Sequence, residues 1–365
     1  MTSTSHSRGR AERHHRLTAV ALAVAVLSGA CGGSDGGGRS EAEPVTLRLL
    51  THDSFALSEG VLAAFTEDTG IKVELIQGGD AGTVVNQAIL TKGNPQADVL
   101  FGIDSTFLSR ALDEDLFVSY ESPALAEVDE AFLLDPEHRV TPVDYGDVCL
   151  NYDKSFFAQS GTPVPDSLSD LTDPTYKDML VVENPATSSP GLAFLLATID
   201  AFGEEGWQDW WTGLRSNGVH VSEGWEDAYY GQFSGGSGSE GTRPLVVSYA
   251  SSPPAEVIFA DPPVTEAPTG VMADGCYRQI EAAGILRGTD HDAEAGQLID
   301  FLLSEEVQAD LPLSMFVYPV RSGIDLPTEF LAHAVAPGAV AELPAETIGE
   351  RRDEWIDMWT DVVLR

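Results

Sequence analysis

The sequence predicts an α/β protein in which mixed, mostly parallel sheets are covered by helices. Apolar, β-prone runs alternate along the chain with helical patterns, and this alternation is typical of parallel strands joined by crossover helices. The length of 365 residues and a hydrophobic fraction of 43% allow a large core, in one two-domain body or a pair of domains. In such folds ligands bind at the carboxyl ends of the strands, so we expect a site there.

The first part of the fold has a βαβαβ pattern. Residues 45–50 form an apolar, β-prone run, and a helix that Ser58 could cap should end at Gly70. The elements that follow are an alternating strand at 72–76, a turn at 78–82, a second helix at 84–92 and a strand at 98–102.

The rest of the chain contains a second α/β set. Strands are predicted at 179–182, 244–249 and 316–320, and helices at 191–202, 207–214, between 293 and 311 as a pair, and at 346–364. Segments 144–151 and 270–280 are candidate crossovers between two lobes, which predicts a clamshell that closes on a solute. We expect lobe 1 to contain residues 44–146 and about 270–325, and lobe 2 residues 147–269 and about 326–365.

The N-terminal region has the features of an export signal. Four arginines precede an uncharged stretch at 17–27, which is too short to span a bilayer. The residues Leu27-Ser28-Gly29-Ala30-Cys31 then resemble a bacterial lipobox, and a glycine-rich spacer follows. We expect residues 1–30 to be a lipoprotein signal peptide, Cys31 to be lipidated and 31–43 to be a flexible tether, with an ordinary cleaved signal as the alternative. The protein would then be exported and lipid-anchored at the outer face of the cytoplasmic membrane.

The chain is strongly acidic. Its formal net charge is −38 at pH 7. Nucleic acids and anionic lipid surfaces are bound through clustered Lys and Arg, so this charge argues against both as partners. The acidic surface is explained by solubility alone, and we expect a monomer.

Two cysteines remain when Cys31 is lipidated. Cys149 and Cys276 form an even pair in an oxidising compartment, which favours a disulfide between them. The alternative is a pair of unbridged, buried thiols. No CxxC spacing indicates redox catalysis.

Motifs for catalysis, nucleotides and metals are missing from the part of the sequence that is predicted to fold. From residue 44 onward it contains no GxSxG, GxxxxGK[ST] or HExxH motif, and its histidines are scattered. We therefore expect no catalytic residues, no metal site and no cofactor.

Trp225 differs from the other tryptophans. Trp207, Trp210 and Trp211 follow a helical spacing, as do Trp355 and Trp359, so both sets should face a helical core. Trp225 belongs to neither set and is flanked by carboxylates. Its indole is suited to stacking on a flat cationic ring, although a place in the core is an equal alternative.

Two predicted helix starts resemble each other. Thr187-Ser188-Ser189-Pro190-Gly191 and Tyr249-Ala250-Ser251-Ser252-Pro253 each combine serines with a proline after an apolar strand. Free amides and hydroxyls at such ends can bind a phosphate, whereas helix capping alone would also explain the serines.

Several short motifs together resemble the thiamine-binding proteins of bacterial ABC importers. The motifs occur in the order found in that family, and the resemblance runs from about residue 46 to the C-terminus. The motifs are His52-Asp53-Ser54-Phe55-Ala56, Asp80 before Asn86, Ala97-Asp98-Val99 with Gly102-Ile103-Asp104, Asp144-Tyr145-Gly146, the two serine-rich helix starts, Gly224-Trp225 with Ala228-Tyr229, and Tyr318-Pro319-Val320. The resemblance implies a two-lobed type II periplasmic-binding-protein fold that captures thiamine, or its phosphate esters, and delivers it to an ABC permease.

The resemblance also implies a set of ligand-binding residues. Trp225 and Tyr249 match the aromatic pair that sandwiches the ligand rings, and Asp80 matches a turn that touches ligand, although Ala81 replaces the family's glycine. Ser188 and Ser189 match a polar site near the hydroxyethyl or phosphate end, and Ala250, Ser251 and Ser252 match the family's continuation after Tyr249. The carboxylate that faces the ligand cation could be Asp53, Asp80, Glu226 or Asp227, and the residues do not decide among them.

Two other functions remain open at this point. The adjacent Tyr229 and Tyr230 could bind ferric iron in a protein of the same fold, since tyrosinate oxygens suit a hard cation. A surface hydrolase that uses Ser251 is a weaker alternative, because no base lies at a recognisable spacing from it.

Overall fold

The computed structural model describes residues 44–365. The predicted signal peptide, Cys31 and the tether lie outside the described residues. The strands are β1 (Thr46–Thr51), β2 (Lys72–Gln77), β3 (Val99–Asp104), β4 (Thr141–Asp153), β5 (Leu180–Glu183), β6 (His220–Ser222), β7 (Leu245–Tyr249), β8 (Thr269–Ile285) and β9 (Tyr318–Pro319). The helices are α1 (Val61–Thr69), α2 (Ala81–Thr91), α3 (Leu108–Asp113), α4 (Lys154–Ser160), α5 (Ser189–Ser216), α6 (Pro253–Ile258), α7 (Asp292–Leu302), α8 (Glu305–Ser314), α9 (Thr328–His333) and α10 (Ala345–Val363).

A mixed sheet runs through this part of the chain. Its strand order is β2-β1-β3-β8-β4-β7-β5-β6, and β9 pairs with β4. The pairings of β1 with β2 and β3, and of β5 with β6 and β7, are parallel. The central pairings through β8 and β4 are antiparallel. The predicted α/β class is confirmed, and the centre of the sheet is less parallel than the strand–helix alternation indicated.

The long strands β4 and β8 connect the two ends of the sheet. They pair with each other over most of their length, β8 also pairs with β3, and β4 also pairs with β7. The segments predicted as crossovers lie within these two strands. Cys149 on β4 and Cys276 on β8 are joined by a disulfide, and both are buried. The division of the chain into two lobes remains a prediction.

Two helix starts differ from the expectation. Helix α2 begins at Ala81 because the Asp80 carboxylate accepts the Ala81 amide, so the segment predicted as a turn is partly helix. Helix α1 has Gly60, not Ser58, at its N-cap, and no side chain caps it. The Ser58 amide instead donates to the Asp310 carboxylate (2.8 Å).

The tryptophan-rich helices pack as their spacing predicts. Trp207 and Trp211 on α5 and Trp359 on α10 are at most 1% exposed. The rings of Trp211 and Trp359 meet edge to face with centroids 5.5 Å apart, which joins the C-terminal helix to the core. Among residues 44–365 no helix is both long and apolar enough to cross a membrane.

Candidate functional site

A cavity lies at the carboxyl ends of several strands. Its lining comes from the segments that follow β1, β2, β5 and β6, from the end of β7, from α6 and β8, and from the chain after α8. The lining residues are His52, Asp53, Ser54, Asp80, Ala81, Ser189, Pro190, Trp225, Tyr229, Tyr230, Tyr249, Ser252, Ala255, Gln279, Glu281, Met315, Phe316 and Val317. The location agrees with the rule for α/β sheets.

Trp225 is held in place by three contacts. Its ring stacks on Tyr229, with centroids 5.0 Å apart and planes inclined by 23°. The indole Nε1–H donates to Ser248 Oγ (2.9 Å), and the backbone amide of Trp225 donates to Asp80 Oδ2 (2.9 Å). The side chain is only partly buried and lines the cavity, so its ring is available to a ligand.

Asp80 joins three segments at the edge of the cavity. Its Oδ1 accepts the amides of Ala81 (2.7 Å) and Ser189 (3.2 Å), and its Oδ2 accepts that of Trp225. Burial raises the pKa of Asp80, while the Trp225 amide opposes that rise. The carboxylate therefore occupies one amide at the start of α2 and one at the start of α5, and the α5 start is where we predicted that a ligand phosphate could bind.

Tyr249 lies at the end of β7, and its ring lies against the backbone of β4. Its hydroxyl donates to Gln279 Oε1 (3.3 Å) on β8. A Cβ at Gly146 would lie 2.7 Å from Tyr249 Cδ1, so the glycine at this position makes room for the ring. Burial raises the pKa of Tyr249 well above its usual value, and the hydroxyl stays protonated.

Three predicted binding residues lie outside the cavity lining. Ser188, Ala250 and Ser251 are fully buried and are not among the lining residues, so their contact with ligand stays a prediction. Ser188 Oγ accepts the Gly191 amide (3.4 Å) and so caps α5. Ala250 packs with Cys149 and Cys276. The backbone turns at these positions direct the side chains into the core.

The second serine–proline helix start places its serine hydroxyl beside Ser248. Helix α6 has only six residues, and the Ser252 side chain does not cap it. Its hydroxyl instead hydrogen-bonds to Ser248 Oγ (2.9 Å), the group that accepts the Trp225 indole. Ser252 lines the cavity and supports the position of Trp225.

The four candidate carboxylates are at different positions. Asp53 and Asp80 line the cavity, whereas Glu226 and Asp227 are not among its lining residues. Glu226 accepts the Ser54 hydroxyl (3.2 Å), and burial raises its pKa. The cavity lining contains no Lys or Arg.

Glu281 and His52 are site residues whose roles the sequence did not indicate. His52 Nε2 lies 3.2 Å from Glu281 Oε1, and both side chains line the cavity. Burial alone would lower the pKa of His52, but the Glu281 carboxylate, with Asp80 and Asp53 nearby, raises it. His52 was only one residue of a longer motif, and Glu281 lies in a strand where alternating polar residues are usually solvent-facing, so neither was singled out.

The paired tyrosines that could bind iron make contacts with other residues. The Tyr229 hydroxyl donates to Glu256 Oε1 (2.9 Å), and its ring is stacked under Trp225. Burial raises the pKa of Tyr229 well above its usual value and that of Tyr230 to about 12, so both hydroxyls are protonated in the protein without a metal. Among residues 44–365 no group of three or more His, Cys, Asp or Glu side chains is placed to hold a metal ion.

Comparisons with known proteins agree with this architecture. The family of bacterial extracellular solute-binding proteins matches residues 94–350. A thiamine-binding periplasmic protein from Salmonella typhimurium is 29% identical over 329 residues, which cover 89% of this chain and 95% of that protein. Iron uptake protein A1 of a Synechocystis species is 25% identical over 293 residues and 78% of each chain. The solved structure of a periplasmic thiamin binding protein superposes with a TM-score of 0.77 at 25% identity, covering 88% of this chain and 96% of that one. The chain thus belongs to the family of bacterial extracellular solute-binding proteins.

Proposed function

We propose that this chain captures thiamine outside the cytoplasm and delivers it to the permease of an ABC importer. In this role the protein is a binding component without catalytic activity or a cofactor, and thiamine is its transported ligand. The relatives named for thiamine cover nearly the whole chain, which supports the proposal.

The observation that carries the proposal is the chemistry of the cavity lining. Trp225, Tyr229 and Tyr249 supply aromatic faces, and Asp53, Asp80 and Glu281 supply carboxyl groups, with no Lys or Arg among the lining residues. Thiamine has two flat heteroaromatic rings, one of which carries a fixed positive charge. Aromatic faces and carboxylates attract such a cation, and a partly dry cavity strengthens the attraction.

Phosphate esters of thiamine fit this cavity less well than free thiamine. Asp80 already accepts the Ser189 amide, which a phosphate at the α5 start would need. A phosphate would also come close to three carboxyl groups without a compensating Lys or Arg in the lining. We therefore infer that thiamine is the preferred ligand.

Lipidation of Cys31 would explain how the protein stays near its permease. We propose that acyl chains on Cys31 and a tether over residues 31–43 hold a monomeric protein at the outer face of the cytoplasmic membrane. Labelling cells with an alkyne fatty acid should mark the wild-type chain and not Cys31→Ser. Equal labelling of both would contradict the anchor.

Tryptophan fluorescence tests the binding proposal. We expect thiamine at micromolar concentrations to quench the emission of the wild-type protein and to raise its melting temperature by mass action. Trp225→Ala should lose both responses because the aromatic face at the cavity is gone.

Two controls make this titration specific. Trp225→Phe keeps a ring but loses the hydrogen bond to Ser248, so it should retain weakened thermal stabilisation, whereas Tyr120→Phe, outside the cavity lining, should behave as wild type. Absence of quenching and of stabilisation in the wild-type protein would rule out thiamine. A tyrosinate-to-iron absorption band on adding ferric citrate would favour the iron alternative instead.

A further inference from the structure

Three carboxyl side chains form a row across adjacent strands beside the cavity. Asp104 on β3 is in register with Glu281 on β8, and Glu281 is in register with Asp144 on β4. Side chains of registered partners lie on the same face of a sheet, about 5 Å apart. All three are buried, with exposed fractions of 0%, 6% and 1%. We call these three residues the carboxyl row.

The carboxyl row meets the cavity at its middle member. Glu281 lines the cavity, and its Oε1 lies 3.2 Å from Nε2 of His52. A Cβ at Gly102 would lie 2.5 Å from His52 Cδ2, so glycine at this position lets the imidazole reach Glu281. The titratable groups that face Glu281 are His52 before the cavity, Asp104 and Asp144 on the flanking strands and Tyr249 on β7.

The carboxyl row holds at least one proton in the empty protein. Neighbouring buried carboxyls cannot all ionise, because each charge is poorly solvated and repels the next. Burial raises the pKa of Asp104 to about 6, and burial together with Glu281 raises that of Asp144 well above its usual value. Asp144 Oδ2 is buried and receives no hydrogen bond from any described residue. A proton on Asp144 would let this side chain donate to Glu281.

Residues outside the carboxyl row provide hydrogen bonds or positive charge to only some of its members. Asp104 accepts the Thr106 amide (2.6 Å) and the Ser189 hydroxyl. Glu281 has His52 as an ion-pair partner, and Asp53 and Asp80 lie near that imidazole. No Lys or Arg lines the cavity, so positive charge beyond His52 must come from the ligand.

We propose that Glu281 is the residue that selects the positive charge of the ligand, and that binding of an organic cation releases one proton from the carboxyl row to the solvent. This inference rests on the proposed function, since it takes thiamine as the cation. A carboxyl O–H bond of the row breaks, its proton passes to solvent water, and the cation takes its place, so the net charge of the site is conserved. A cation beside Glu281 stabilises the ionised form of the row, which drives the proton out.

Calorimetry of the full chain measures this coupling directly. Thiamine is titrated at pH 6.5 in two buffers that differ in ionisation enthalpy, and the difference in heat gives the protons exchanged. We expect about one proton to be released for each thiamine bound. Affinity should rise from pH 5 to pH 7, by at most about tenfold per pH unit for one proton. A constant affinity and no proton release would overturn the inference.

Variants separate charge selection from folding. Glu281→Gln keeps the size of the side chain, and we expect it to weaken thiamine binding by roughly tenfold or more and to abolish proton release. Asp300→Asn, a carboxylate bonded to Tyr120 and Ser122 outside the cavity lining, should change neither. The wild-type proton count needs no variant and still tests the inference if Glu281→Gln fails to fold.

A neutral isostere of thiamine gives a readout that a structural role of Glu281 would not produce. In this compound, carbon replaces the quaternary ring nitrogen of thiamine. Wild type and Glu281→Gln should bind it equally, without proton release. If Glu281→Gln loses affinity for thiamine and for the neutral isostere to the same extent, charge selection by Glu281 is overturned. Wild-type protein that binds no thiamine would overturn the proposed function, whereas thiamine binding without proton exchange overturns only this inference.

Discussion

At the scale of single residues, the orientation of Trp225 depends on polar partners as much as on packing. Its indole and its backbone amide each donate one hydrogen bond, to Ser248 and Asp80, and Tyr229 supports the ring from one side. A ring fixed by hydrogen bonds loses little entropy when a ligand stacks on it, so preorganisation should favour affinity. The same contacts explain why this tryptophan is not part of a helical core stripe.

Gly146 controls the position of the second aromatic ring. In Gly146→Ala the new Cβ would lie 2.7 Å from Tyr249 Cδ1, so the tyrosine has to move. Overpacking costs about 1–3 kcal/mol, and we expect thiamine affinity to fall by roughly tenfold in calorimetry. Gly338→Ala is the matched control, because a Cβ there meets no atom within 4 Å. Unchanged affinity in Gly146→Ala would show that Tyr249 does not need this position.

The sequence identified part of the site and missed another part for physical reasons. Trp225 could be found because it breaks the spacing of the other tryptophans. Glu281 could not, because its importance comes from register with Asp104 and Asp144, which are 177 and 137 residues away along the chain. Ser188 was predicted from its neighbours, but the direction of a side chain at a helix start depends on backbone angles that residue types do not determine.

At the scale of elements, helix α5 is interrupted where its sequence predicts two helices. Gly203 has φ 69° and ψ 170°, which is not helical, and the segments before and after it carry separate buried faces. Phe194 packs edge to face on Trp211 across this interruption, with ring centroids 5.8 Å apart. The break therefore folds the tryptophan-rich segment back onto the first one.

Substitution of two glycines in α5 should have opposite effects. Gly203→Ala forces a side chain into a conformation that favours glycine, which should lower the free energy of unfolding by about 1–3 kcal/mol. Gly206→Ala lies in regular helix, with its nearest neighbour, Phe202 Cβ, at 3.5 Å, and should raise it by about 0.5–1 kcal/mol. Urea unfolding measures both. Equal stability of the two variants would contradict the role of Gly203.

Several elements were predicted closely, whereas the start of helix α2 was not. Helix α10 and strands β5 and β7 lie within one or two residues of the prediction. Helix α2 starts at Ala81, inside a Gly-Gly-Asp-Ala-Gly segment whose composition indicates a turn. The helix start there depends on the Asp80 carboxylate, whose other partners, Ser189 and Trp225, are distant in sequence.

At the scale of the whole molecule, the sheet brings distant segments to one cavity. Strands β4 and β8 lie at the centre, join the parallel ends of the sheet and carry the disulfide, Asp144 and Glu281. Alternating strands and helices predicted the class of this fold. The antiparallel centre was beyond such a prediction, because the pairing of β8 with both β3 and β4 is a long-range contact that no local pattern encodes.

A crystal structure of the protein grown with saturating thiamine would show directly whether this cavity binds thiamine. We expect one thiamine in the cavity, with its rings against Trp225 and Tyr249 and its charged ring near Glu281. Thiamine bound elsewhere on the protein, or a cavity that holds only solvent at saturating thiamine, would rule out this cavity as the thiamine site.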